Sequence, residues 1–272
     1  MATANNPVRP PSSHRGKPDR SETAFFVGIA VAMGALTLVA FSTTYLLPVS
    51  SGRFIGPPLL HLHGILFLAW PVLFIMQALT SARKLALHRG LGLASISLAT
   101  AMVLTGLAAI GSSIAGWRER GVGTEGQTIS VIAFTGAAMF TVLFAAAVWM
   151  RRDRLAHSRL MTLATLSIMQ ASSGRLALLI SSGGNLDLQR PGMLVPPPLM
   201  FVAIPHLIFD LFVVGALAWH DRRRLGSIHH ATIAGGALIV LVHLGRPLLA
   251  ASPAWTAIAG SLETFMSNVA LT

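Results

Sequence analysis

Apolar side chains gather along this chain in seven long blocks, near 24–46, 59–80, 91–113, 129–149, 160–181, 197–219 and 232–252. A helix rising 1.5 Å per residue needs roughly 20 residues to cross a hydrocarbon core, and every block has about that length. Short polar connections separate them. The pattern predicts an all-α fold, a seven-transmembrane helix bundle, occupying residues 23–252 as one domain. Upstream, the Pro-, Ser- and Arg-rich residues 1–22 form a tail expected to be disordered. No apolar core follows its charges closely enough to mark a cleaved signal peptide, so the first block serves as the insertion signal. Downstream, Ser252 can cap a helix and Pro253 suits its first position. With Trp255, Phe265 and Met266, residues 253–272 are expected to form a short external helix on the membrane interface.

Composition makes a bilayer the natural solvent: 53% of residues are hydrophobic, 11% are charged, and the mean hydropathy is +0.68. In soluble proteins charged residues alone make up about a quarter. A net charge of +11 would suggest nucleic acid in a soluble chain, but its distribution argues otherwise. Fourteen of the 20 Lys and Arg residues fall in the tail and in alternate connections, among them Arg83, Lys84, Arg151, Arg152, Arg154, Arg159 and Arg222 to Arg224. The other connections carry Arg53, Arg118, Arg120 and Arg190. By the positive-inside rule the N-terminus is cytoplasmic and the C-terminus external, as in a multi-pass protein of a bacterial-type inner membrane. The basic charge then faces anionic lipid headgroups, and no nucleic-acid partner is implied.

An internal pattern runs with the charges. Lys84-Leu85-Ala86, Arg154-Leu155-Ala156 and Arg224-Leu225-Gly226 recur at a spacing of 70 residues, each followed shortly by a histidine: His88, His157 and His229. Remnant triplication and plain selection for basic inside loops both account for it.

Ionisable groups at membrane depth cost roughly 2.5 kcal/mol or more and call for a partner or a purpose. Arg175, His206, Asp210 and Arg246 fall inside the blocks, with His243 close behind. His206 and Asp210 are four apart and share a helix face, as do His243 and Arg246 at three apart. A carboxylate beside an imidazole fixes its tautomer and strengthens it as a base or ligand. Two guanidiniums face one carboxylate in this set. The surplus could be met by an anion, by backbone carbonyls, or by Arg175 reaching toward headgroups, and structural pairing of Asp210 with an arginine stands beside the functional reading. The set predicts a site built by helices two, five, six and seven.

The stretch HLHGILFLAW at 61–70 adds a further candidate. His61 and His63 point about 200° apart on a helix; the stripe His63, Trp70, Gln77 selects His63 as the inward residue and leaves His61 to the interface. Pro71 predicts a bend after Trp70. Without cysteine, disulfides, thiolate ligands and thioether-bound haem are excluded, and any metal or haem must be held by His, Met or oxygen. His63, His206 and His243 are the candidate metal ligands. No G-x-S-x-G, H-E-x-x-H or phosphate-cradling glycine loop occurs in a fitting context.

HLHGILFLAW followed by ARKLALHRGLG resembles the second and third helices of cytochrome b561-like proteins. The element AHSRLMTLATLSIMQ, with Gly174-Arg175-Leu176 after it, is similar to an uncharacterised bacterial family of multi-pass membrane proteins with an HR-x-LG signature. The first resemblance implies haem b between axial histidines on neighbouring helices, with His63 and His88 matching its motif; His206, His243 and His157 are the further candidate partners, and Arg175 and Arg246 would balance propionate charge. Three functions remain open: haem- or metal-linked redox or haem-handling work, proton-coupled small-molecule transport, and an accessory or assembly role beside other membrane-complex subunits.

Overall fold

The computed structural model describes residues 20–54, 56–184 and 196–269, helical apart from short connections, with no strand among them. Residues 1–19 of the expected tail and Arg190 lie outside the described residues; Arg20 already opens the first helix. Six helices are long and apolar enough to cross a membrane, or seven if one bent pair counts as a single span. They are α1 (Arg20–Phe41), continued by a π-helical turn (Ser42–Leu46) and α2 (Leu47–Ser50); α3 (Pro58–Thr80); α4 (Leu85–Glu119); α5 (Gly123–Trp149); the pair α6 (Arg154–Ile168) and α7 (Gln170–Ser181); α8 (Leu199–Leu225); and α9 (His230–Ala250). A last helix, α10, spans Pro253–Val269. The turns between α3 and α4, α5 and α6, and α8 and α9, with the helix ends beside them, carry Arg83, Lys84, Arg89, Arg151, Arg152, Arg154 and Arg222 to Arg224. They define a basic end of the bundle.

Two departures from the apolar pattern have physical causes. Helix α4 runs 35 residues, about 52 Å at 1.5 Å per residue, because a helix need not stop where hydrocarbon does. Pro48 has no N–H to give the carbonyl four residues back, and the turn before it widens to π-helical spacing while the span continues. Pro71 lies inside α3, which stays one element from Pro58 to Thr80. Helix α10 packs against α4 and α5: Trp255 is fully buried, its indole N–H donates to the Gln127 carbonyl at 2.9 Å, and Arg118 pairs with Glu263 at 2.8 Å.

The bent pair occupies the centre. Residues Arg159 to Ser167 are buried without interruption, whereas a lipid-facing helix exposes one side every turn. Helices α1, α5, α8 and α9 surround α6, and the Trp70 indole of α3 donates to Thr165 Oγ1 at 3.2 Å. Between Ile168 and Gln170 the axis bends by 46°. No proline stands there. Thr162, Thr165, Ser167 and Ser173 instead return their hydroxyls to carbonyls three or four residues back, a competition that bends helices, and Met169 N–H bonds to the Leu166 carbonyl in a tightened turn.

Arg159, which the basic-loop pattern assigns to the surface, is fully buried and bonded to an equally buried Asp221 of α8, Nε to Oδ1 at 2.7 Å. Asp221 also accepts from Thr232 Oγ1 at 2.6 Å and from the His229 backbone N–H at 3.1 Å. One carboxylate thus ties α6, α8 and the start of α9 together. Asp221→Ala strands a buried guanidinium, and thermal unfolding in detergent should register a loss of about 3–5 kcal/mol. Thr232→Val removes a single hydrogen bond to a charged group and should cost about 1.5–3 kcal/mol.

Candidate functional site

A continuous polar chain crosses four helices on the far side of the bend from Arg159. Asp210 of α8 meets His243 of α9, Oδ2 to Nε2 at 2.7 Å. The other ring nitrogen of His243 accepts from Arg246 Nη1 at 3.0 Å, three residues on, where one helical turn brings the two side chains together. Arg246 then donates from Nε to Thr135 Oγ1 of α5 at 2.9 Å and from Nη2 to Gln170 Oε1 of α7 at 2.7 Å. Every side chain in this chain is buried, and Arg246 is 0% exposed. Gln170 is the first residue of α7, so the chain ends on the bend itself.

His206 stands one turn before Asp210 on α8 and turns to a different partner, Ser173 Oγ, 2.7 Å from Nδ1. Close approach here depends on glycine. A Cβ on Gly174 would come 2.8 Å from His206 Cε1, and one on Gly136 would come 3.1 Å from Gln170 Oε1.

The expected residues therefore divide. Asp210, His243 and Arg246 form one network; His206 adjoins it through α7. Arg175 lies over the ring of Phe41, 4.3 Å from its centroid, and donates from Nη1 to the Ala171 carbonyl. No carboxylate pairs with it among the described residues, and its buried Nε has no acceptor. His63 lies within electrostatic reach of Arg175, packs on Phe67 with ring centres 4.2 Å apart, and keeps a buried Nδ1 without a partner. Thr43 Oγ1, in the π-helical turn, is a third buried atom without one. Trp70 and Gln77 on the same stripe are buried, while His61 sits beside Tyr45, Nδ1 to Oη at 3.3 Å. His88 and His157 meet at the basic end, with ring centres 6.3 Å apart.

This geometry bears on the expected haem or metal. His243 has both ring nitrogens engaged and His206 has one, so His63, His206 and His243 do not fit as a joint ligand set. Asp153, His229 and His230 bring one ligand atom each within 4.8 Å of one another. Two of these residues already act as helix caps: Asp153 Oδ1 accepts from Leu155 N and Ala156 N, and His229 Nδ1 from Ala231 N. Burial, then His230 and Arg159, hold the His229 imidazole below its ordinary range, which keeps that accepting nitrogen unprotonated.

Thr135, Gln170 and Ser173 escape a search for charged residues. Gln170 and Ser173 are signalled by the polarity of the fifth block, where Thr162, Thr165, Ser167, Gln170, Ser172 and Ser173 crowd a span that lipid contact would have kept apolar; Thr135, in the fourth block, has no such signal. Gly174→Ala should push His206 off Ser173 and lower stability by about 1–3 kcal/mol, read as a drop in the thermal midpoint; an unchanged midpoint contradicts the packing described. Comparison with known proteins returns no matching family model, no matching curated protein and no matching solved structure, so the functional reading rests on the geometry of this chain.

Proposed function

We propose that this chain is a proton-coupled carrier of a small anionic solute, seated in the inner membrane with its basic end in the cytoplasm as the positive-inside rule directs. The observation that carries the reading is the buried chain Asp210, His243, Arg246, Gln170, which joins a titratable carboxylate–imidazole pair to the bend in the central helix. Carboxylates and histidines buried within spans serve proton relays, and interrupted helices sit at the solute sites of transporters.

The parts have separate roles in this scheme. With Nδ1 accepting from Arg246, neutral His243 carries its hydrogen on Nε2 and donates it to the Asp210 carboxylate. A proton taken up by the ring lands on Nδ1, where it displaces the Arg246 N–H, and the released guanidinium passes the change to Gln170. Five residues further along α7, Arg175 offers a guanidinium with an unused Nε–H to a carboxylate or phosphate group. Proton and anion are thereby linked through one short helix of 12 residues. Binding an anion also offsets the cost of holding a half-buried cation without a counter-charge.

Vesicles containing the purified protein and an enclosed pH-sensitive dye test the scheme with succinate, citrate and phosphate as probes. One of these anions should enter together with protons. Asp210→Asn, which keeps a hydrogen-bonding amide but cannot titrate, should reduce coupled flux at least tenfold, and Arg175→Gln should raise the half-saturating anion concentration. Proton-independent uptake, or flux unaltered in both variants, overturns the proposal. A carrier of this kind is colourless; a Soret band lost on His63→Ala would favour the haem reading instead.

A further inference from the structure

Two histidines at the basic end, outside the carrier machinery, have the orientation of metal ligands. His88 lies in the first turn of α4 and His157 in the first turn of α6. His157 Nδ1 is 2.8 Å from the Ala147 carbonyl, and His88 Nδ1 is 3.3 Å from the Gln77 carbonyl. A carbonyl only accepts, so each Nδ1 carries the hydrogen, and a neutral ring then holds its lone pair at Nε2. Anchoring the distal N–H on a carbonyl is how metal-ligating imidazoles are oriented. The ring centres are 6.3 Å apart, with planes at 88°. Two imidazoles bound to one ion at about 2.0–2.1 Å place their centres roughly 5–6 Å apart, so a small inward movement of either ring completes the pair.

A second observation comes from Gln77. It is 9% exposed, its carbonyl receives His88, and its Nε2 donates to Ser95 at 3.2 Å, yet its buried Oε1 has no partner. The residue that anchors one imidazole thus also owns an oxygen donor with nothing bound to it. The capped Asp153, His229 and His230 cluster has no such orientation, since His229 Nδ1 accepts rather than donates.

We propose that His88 and His157 share one first-row transition-metal ion through their Nε2 atoms, clamping the start of α4 to the start of the central helix. The donor set is imidazole, with no thiolate anywhere in the chain, and such sites bind copper(II) more tightly than nickel or zinc. The ion would brace the end of α6 opposite the bend, independently of the carrier reading.

Tag-free protein, stripped with chelator and loaded separately with Cu2+, Ni2+ and Zn2+, provides the test. One Cu2+ per chain should survive gel filtration, its electron paramagnetic resonance spectrum split by two imidazole nitrogens, and it should raise the thermal midpoint. His88→Asn and His157→Asn each preserve an N–H donor for the carbonyl while deleting Nε2. Each should lose the ion and the thermal shift yet unfold, metal-free, at the wild-type midpoint; metal-free destabilisation with the ion retained would assign these histidines to packing alone. His230→Asn should keep the ion. Retention of Cu2+ by both single variants, loss of it in His230→Asn, a wild-type protein that binds none of the three ions, or a Soret band in place of bare-metal binding overturns the assignment.

Discussion

A helix surrounded by other helices is released from the demand that lipid makes on its neighbours. Hydrocarbon offers no hydrogen bonds, so a lipid-facing helix must present apolar side chains, and a polar group at that depth survives only where protein meets it. Helix α6 and the first turns of α7, as far as Gly174, hold that sheltered position, and the rest of the structure follows from it. Nine consecutive buried residues include an arginine, two threonines and a serine, each with a partner. The same shelter permits the bend, since the hydroxyls that compete for backbone carbonyls there would be costly at a lipid surface.

Seen from the sequence, the apolar blocks were legible because their signal is long and repetitive: all seven correspond to helices, the fifth as the bent pair. Asp210, His243 and Arg246 could be singled out because charge inside an apolar block is rare, and helical spacing correctly put His243 beside Arg246. What spacing cannot supply is the partner on another helix. His206 shares a face with Asp210 but bonds to Ser173, because α7 and α9 approach different parts of that face. Arg159 was misplaced for a related reason. It sits beside loop arginines in the sequence, and only the packing of α6 against α8 distinguishes it from them.

Small residues decide how close those partners come. Gly136 and Gly174 stand where a methyl group would press on Gln170 and His206, so the polar atoms at the bend owe their contacts to missing side chains as much as to those present. In a membrane, where helix association depends on packing and on interhelical hydrogen bonds, such positions set the geometry of both.

The two buried aspartates of α8 illustrate how one helix supports opposite tasks. Asp210 and Asp221 are eleven residues apart, close to three full turns, and therefore share a face. Asp221 receives a permanently charged guanidinium, a hydroxyl and a backbone N–H, a set that loses nothing by staying ionised and much by being protonated. Asp210 is bonded instead to an imidazole, the one side chain whose own proton is exchangeable near neutrality. A carboxylate held by fixed donors makes a staple; the same carboxylate beside a titratable ring has a partner whose charge changes when the ring takes up a proton. Hence the end of α8 at Asp221 is suited to rigidity, and the segment at Asp210, coupled through Arg246 to a bend, is suited to change.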